Sequence, residues 1–331
     1  MTTIAVIGAG YWGKNLIRNF KEMGRLVAIC ETDSAQRAEI QNQYPDVPIV
    51  DTIEQILDDA AIDAVAVATP AATHGEVVEK SIAAGKDVFV EKPLCLDLNQ
   101  AATLKKQADD AKRTLMVGHL LLYHPAFISL SRAVADGQVG QLRYIYSNRT
   151  SLGKIRKEEN ALWSFAPHDI SMMLALTGQF PSRVVSSGGT YLYPPVADTS
   201  LTHLTFEDGV QGHIFVSWLH PFKEHRTVVV GSEGMAVFDD VEQGDQKLML
   251  YRHKVGWQGD IAAINKAVGE PISYEEREPL RIECEHFIDC VATRNTPRTD
   301  ATEAIRVLQV LDACQKSLSN GDPIHFDSSN S

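Results

Sequence analysis

The sequence predicts an α/β protein in two parts, a first built on a parallel sheet and a second on a large, mostly antiparallel sheet. Three observations predict it. Short apolar runs alternate with amphipathic segments as far as residue 117, the pattern of a parallel sheet covered on both faces. The register changes between residues 120 and 140, where Gly137 and Gly140 punctuate the chain. From Gln141 onward strand-like segments follow one another, which suits antiparallel pairing with helices packed on one face.

Residues 4–7 form an apolar run that ends in glycine. Residues 15–23 show helical spacing at Leu16, Ile17 and Phe20, and Gly24 closes that helix. A second strand is predicted over 26–30 and a helix over 34–44, with Ser34 as its N-cap. Strands at 64–68, 88–90 and 115–117 alternate with helices at 73–84 and 98–112. A helix over 125–135 opens the second part. Strands are then predicted at 142–148, 183–187, 200–206, 210–218, 227–230, 235–238 and 247–251. Helices interrupt at 163–176, 279–293 and 302–318. Asp208-Gly209 and Glu233-Gly234 are turn pairs between strands. The expected domains are 1–122 and 123–331, with the C-terminal helix packing back on the first. The tail from about Asp327 is expected to fray.

With 331 residues, the chain is long enough for two domains. Its 44% apolar and 22% charged residues are those of an ordinary globular protein. No stretch approaches about 18 apolar residues, so no membrane span is expected. The run 115–130 is broken by Gly118, His119, His124 and Pro125. No basic segment precedes the first strand, so no secretory signal is expected. Cys30, Cys95, Cys284, Cys290 and Cys314 are odd in number and form no CxxC pair. They read as reduced thiols of a cytoplasmic protein, and they argue against a metal such as zinc. A net charge of -12 argues against nucleic-acid or anionic-membrane partners, though a local basic cluster can still take a small anion.

The first strand runs into Gly8-Ala9-Gly10-Tyr11-Trp12-Gly13, a GxGxxG turn that opens a helix. Gly8 permits the tight turn, Gly10 lets the backbone approach a pyrophosphate, and Gly13 allows the helix to pack on the strand. The helix N-terminus offers N–H groups to phosphates. Glu31 ends the second strand, 18 positions after Gly13. A carboxylate there accepts hydrogen bonds from ribose hydroxyls and repels a 2′-phosphate, which favours NAD over NADP. The first domain is therefore expected to be a Rossmann domain.

Two further segments narrow the reading. Ala68-Thr69-Pro70-Ala71-Ala72-Thr73-His74 is followed by Ala84-Gly85-Lys86-Asp87-Val88-Phe89-Val90-Glu91-Lys92-Pro93. With Gly118-His119, Glu278-Pro279 and Phe287, the chain resembles the glucose-fructose oxidoreductase / inositol dehydrogenase / rhizopine-catabolism (Gfo/Idh/MocA) family over nearly its whole length. The resemblance implies a C-terminal α/β domain with an open, mostly antiparallel sheet that often supports homodimers or homotetramers. It places Thr69, Pro70, His74, Glu91 and Lys92 at the cofactor, beside Tyr11 and Trp12 of the glycine turn. It also places Lys92 near the nicotinamide and the reacting hydroxyl, where an ammonium stabilises developing oxygen charge. His168, in Trp163-Ser164-Phe165-Ala166-Pro167-His168-Asp169, matches the family's catalytic histidine. Ser164 stands where the family usually carries an aspartate, four residues earlier on the same helix face. Asp169 points about 100° away and is a poor substitute.

Arg149, Lys154, Arg156, Lys157 and Asn160 form the most basic stretch of the second part, offset in part by Glu158 and Glu159. Guanidinium forks suit phosphate oxygens. A solvated loop is the plainer reading. With Trp163 and His168 this stretch resembles the nucleotide-sugar branch of the family. That implies a UDP-sugar substrate, UDP-N-acetylglucosamine or its uronate, oxidised at the 3-hydroxyl and passed to a sugar aminotransferase. His124 and residues 223–226, including Lys223 and Arg226, are weaker substrate candidates. A free polyol substrate and a non-catalytic NAD-binding regulator are the competing readings.

Overall fold

The computed structural model describes residues 1–326. The tail from Asp327, expected to fray, lies outside the described residues. The chain divides into two compact units, Met1–Tyr123 with Arg277–Leu308, and His124–Glu276 with Gln309–Ser331. The division differs from the expected 1–122 and 123–331, because Arg277–Leu308 belongs to the first unit.

The first unit begins with β1 (Ile4–Ile7), α1 (Gly13–Glu22), β2 (Leu26–Cys30), α2 (Ser34–Gln43), β3 (Ile49–Val50) and α3 (Glu54–Leu57). It continues with β4 (Ala64–Val67), α4 (Ala71–Ala83), β5 (Asp87–Glu91), α5 (Leu98–Ala111) and β6 (Leu115–Gly118). All six strands are parallel, in the order β3-β2-β1-β4-β5-β6. That is the doubly wound arrangement, whose ligands bind beyond the carboxyl ends of the strands. β1 and β4 are buried at every position, as strands covered on both faces must be. The cap of α2 is Asp33, whose carboxylate accepts from Gln36 N–H at 2.8 Å, not Ser34, which is already the first helical residue.

The second unit contains α6 (Pro125–Ala135), β7 (Leu142–Thr150), α7 (Ala161–Thr177), β8 (Arg183–Gly189), β9 (Thr199–Thr205), β10 (Gln211–Ser217) and β11 (Glu224–Gly231). β12 (Met235–Asp239), β13 (Leu248–Tyr251), β14 (Lys254–Gln258), β15 (Ile261–Asn265) and β16 (Glu270–Pro271) follow. β14 and β15 pair as a separate hairpin. α8 (Pro279–Thr293) belongs to the first unit, and α9 (Ala301–Asn320) contributes residues to both. β17 (Ile324–His325) closes the described chain.

Nine strands form the large sheet, in the order β16-β13-β12-β11-β7-β10-β9-β8-β17. β7 and β10 are its one parallel pair among the described residues. α7 packs on β7, β9 and β10. Gly212 makes room for it, since a Cβ there would lie 2.9 Å from Met173 Sδ. On β9 the residues Ser200, Thr202 and Leu204 are buried while Leu201 is exposed, so one face of the sheet is covered and the other open. All five cysteines are buried free thiols, and no described helix is long and apolar enough to cross a membrane.

Candidate active site

The glycine turn has the shape that a dinucleotide needs. Gly8 has φ +95°, and a Cβ there would meet the Ala68 carbonyl at 2.8 Å. At Gly13 a Cβ would lie 2.0 Å from the Gly8 oxygen, so only glycine lets α1 start this close to β1. At Gly10 a Cβ would meet nothing within 4 Å, which leaves that stretch of backbone open to a ligand. The buried Glu31 accepts from Ala9 N–H at 2.8 Å and from Asp33 N–H at 2.9 Å. A carboxylate has about four lone-pair sites, so Glu31 shapes the turn and keeps capacity for ribose hydroxyls. Arg37, which the sequence did not single out, donates to the Glu31 and Thr32 carbonyls at 2.9 and 2.8 Å. Tyr11 is 90% exposed. Trp12 is tied instead to the end of β5, where its indole N–H donates to Glu91. These residues fit NAD: the turn and the α1 N-terminus suit the pyrophosphate, and Glu31 the adenine ribose.

A polar cluster surrounds Lys92. His74 is buried, with Nδ1 2.7 Å from the Pro93 carbonyl and Nε2 2.8 Å from the Thr69 carbonyl. It therefore joins the Thr69-Pro70 loop to the Lys92-Pro93 turn, a role in placing both loops. Thr73 Oγ1 adds bonds to Thr69 Oγ1 at 2.9 Å and to the Pro70 carbonyl at 2.8 Å. Burial lowers the His74 pKa, with the Lys92 charge adding to the effect. Burial pushes Glu91 up to about 7, against the pull of the Trp12 N–H and of Lys92. A Cβ at Gly118 would lie 3.1 Å from Glu91 Oε2, which accounts for the glycine. His119 is driven down to about 3 by burial, again with Lys92 contributing. Its Nε2 lies 3.6 Å from Glu303 Oε2, too long for a hydrogen bond. Burial and the Asp300 charge push Glu303 up to about 8, so this is a contact between neutral groups rather than an ion pair. Glu283 on α8 is fully buried, and no donor among the described residues reaches either carboxylate oxygen. Burial, then the Glu91 charge, holds it well above the carboxylate range. The Lys92 charge thus acts on His74, Glu91 and His119, with Arg306 acting on Glu303, and neither Glu283 nor Glu303 was legible in sequence.

In the second unit His168 lies on α7, directly after Pro167. Asp169, fully buried, points to the sheet. It accepts from Arg149 Nε at 2.9 Å, from Arg149 Nη2 at 3.2 Å and from Ser147 Oγ at 2.6 Å. Arg149, expected to take substrate phosphate, is instead a buried two-bond partner of Asp169, with Nη1 3.2 Å from His225 Nδ1. The physical reason is its register on β7, which turns it toward the covered face with Ile145 and Ser147. Asn160 caps α7 by accepting from Trp163 N–H at 3.0 Å, and its amide donates to Gln315 at 2.8 Å. Trp163 Nε1 donates to the same Gln315 oxygen at 3.1 Å. His124 caps α6, with Nδ1 accepting from Ala126 N–H at 3.1 Å, and burial drives its pKa down to about 4. Its Nε2 lies 3.5 Å from Asp240. Burial alone would raise Asp240, but the bond from His225 and the charges of His124, Arg149 and Lys247 bring it to about 2. Lys154, Arg156 and Lys157 lie on an exposed loop. Arg156 pairs with Glu159 at 3.0 Å, and Lys157 Nζ lies 4.8 Å from the Tyr193 ring centre. Lys223 is exposed, and Arg226 is paired with Asp239 at 2.7 Å. Asn160 thus caps the helix that carries His168 and Arg149 is held by Asp169 of that helix, whereas His124 caps α6.

A doubly wound sheet with this glycine turn defines the class, an NAD-dependent oxidoreductase. The chain belongs to the Gfo/Idh/MocA family of sugar and polyol dehydrogenases. Residues 2–119 match the family model described as "Oxidoreductase family, NAD-binding Rossmann fold", and residues 127–237 match the "GFO/IDH/MocA C-terminal domain". The chain is 26% identical to a scyllo-inositol 2-dehydrogenase (NAD(+)) of Bacillus subtilis, over 98% of this chain and 96% of that protein. It is 25% identical to a UDP-N-acetylglucosamine 3-dehydrogenase of Acidithiobacillus ferrooxidans, over 92% of this chain and 93% of that protein. The solved structure of UDP-N-acetylglucosamine 3-dehydrogenase GnnA from Acidithiobacillus ferrooxidans shares the fold, with a TM-score of 0.84 at 23% identity. It covers 96% of this chain and 97% of that one.

Proposed function

We propose that this chain oxidises the 3-hydroxyl of a UDP-N-acetylated hexosamine, UDP-N-acetylglucosamine first among them. One observation carries this choice over an uncharged polyol. The exposed cations Lys154, Arg156 and Lys157 lie on the loop that leads directly into the helix bearing His168. A diphosphate rewards such a loop and a free polyol does not. The similarity to a UDP-N-acetylglucosamine 3-dehydrogenase supports the reading. The comparable similarity to a scyllo-inositol 2-dehydrogenase keeps a free polyol as the second reading.

In this reading the glycine turn and Glu31 hold NAD, which when bound accepts the hydride from the sugar carbon. His168 takes the hydroxyl proton as general base. Lys92 stabilises the charge that develops on the oxygen. Asp169 and Asn160 fix the helix that carries His168. A positioned base contributes about 100- to 10,000-fold. His168→Ala is therefore expected to lower turnover by at least about 100-fold while NAD still binds, with Lys92→Ala comparably damaging. Normal turnover in either variant removes that residue from its role.

Substrate choice is tested with NAD and a panel of UDP-N-acetylglucosamine, its uronate, scyllo-inositol and myo-inositol. NADH absorbance is read with a sugar aminotransferase and glutamate present to draw off the ketone. UDP should inhibit competitively. Turnover of an inositol with indifference to UDP overturns the nucleotide-sugar reading.

A further inference from the structure

Ser164 lies one helical turn before His168 on α7, so the two side chains share a face. Ser164 is buried, and its hydroxyl donates to Glu159 Oε1 at 2.9 Å. Glu159 belongs to the loop just before the helix and also takes Arg156 Nη1 at 3.0 Å. The carboxylate is thus held over the first turn of α7 by two donors. A hydroxyl that gives its only proton to a carboxylate presents lone pairs to its other neighbours. Such a hydroxyl is polarised by the charge behind it. Such lone pairs suit an N–H donor from a neighbouring side chain.

We propose that Glu159, acting through Ser164, is the positioning carboxylate for His168, orienting the imidazole and favouring its protonated form. The proposal deepens the assignment of His168 as general base and rests on it. It also gives a role to the serine where the family usually carries an aspartate: the charge has moved to the preceding loop, and the serine connects it to the histidine.

Several elements pack against α7 within this unit, and Arg132 is the one charged residue of α6 among them. On the sheet side Asp169 is neutralised by Arg149, with His225 next to that arginine. The buried positions that β9 and β10 turn toward α7 are Ser200, Thr202, Leu204, Gly212, Ile214 and Val216, none of them charged. Gln315 on α9 is neutral, and Lys316 there is paired with Asp312. On the loop, Arg156 shares Glu159, while Lys154, Lys157 and Glu158 are exposed and screened by solvent.

The test is the titration of the His168 imidazole by NMR in the substrate-free protein, its signal assigned by its loss in His168→Ala. Removing a nearby negative charge disfavours the imidazolium, so Glu159→Gln should lower the midpoint by about half a unit. The acid limb of kcat/KM for NAD with UDP-N-acetylglucosamine should move down with it. kcat should fall about 10-fold, with KM for NAD unchanged. Ser164→Ala, which cuts the link without touching the loop, should shift the midpoint in the same direction. Adding Ser164→Asp to Glu159→Gln should restore it. An unmoved midpoint in both single variants overturns the proposal, as does a loss of activity in Glu159→Gln that Ser164→Asp does not rescue. If His168→Ala keeps normal turnover, the general-base assignment fails separately, and the titration still decides the Glu159 link.

Discussion

Glu303 keeps its proton near neutral pH because burial, with the Asp300 charge beside it, pushes its carboxyl up to about 8. In an unfolded chain the same group titrates near about 4.3. The folded value is the higher one, so the stability this group contributes is complete below about 4.3 and is lost as pH rises toward about 8. Glu303→Gln removes that loss. Its melting temperature is expected to exceed that of the parent by several degrees at pH 8 and to match it near pH 4. Thermal unfolding followed across that range measures this, and parallel curves would show that Glu303 ionises freely. Glu283 acts in the same direction, so the slope is reduced rather than abolished. Such residues are where sequence reading fails. Gly8 and Gly13 were legible because a glycine turn has a fixed grammar. Glu283 and Glu303 look like ordinary helix-surface acids until the fold buries the first and half-buries the second. Glu159 likewise gains its meaning from a hydroxyl five residues away.

At the scale of elements, α7 is fixed to β7 through Asp169, gripped by Arg149 and Ser147. Asp169→Ala leaves a buried guanidinium without its carboxylate, which costs about 3–5 kcal/mol. The denaturation midpoint should fall accordingly, and a change under about 1 kcal/mol would show the pair to be dispensable. The helices α6 and α8 were predicted with their observed bounds, and each starts at a Pro, where a missing N–H does no harm. The two-residue strands β3, β16 and β17 were missed, since two residues carry no period. The hairpin β14–β15 is exposed along nearly its whole length and has no buried face to reveal it. Arg149 misled because its charge suggested phosphate, while its alternation with Ile145 and Ser147 already placed it on the covered face.

For the molecule as a whole, the parallel sheet of the first unit and the mostly antiparallel second sheet followed from alternation and succession of elements. The division of the chain did not, because nothing local marks residues 277–308 as belonging with the beginning. The open face of the nine-stranded sheet exposes Tyr144 on β7 and Leu201 on β9, two strands apart, and an open sheet face of this kind suits a second copy of the chain. The protein is expected to form dimers or tetramers through it. Leu201→Lys should shift light-scattering mass toward the monomer, and a parent protein that is already monomeric at micromolar concentration would refute this.

The return of Arg277–Leu308 to the first unit has a consequence for synthesis. Phe89 meets Phe287 edge-on at 5.8 Å, Tyr123 Oη lies 3.2 Å from Thr299 Oγ1, and Val117 N–H donates to the Thr299 carbonyl at 2.8 Å. On a ribosome adding about 5–20 residues per second, the strand carrying Phe89 waits roughly 10–40 s for Phe287 to be made. The half of the protein translated first is therefore among the last to be finished, and until then its nascent chain leaves an apolar flank for chaperones to guard.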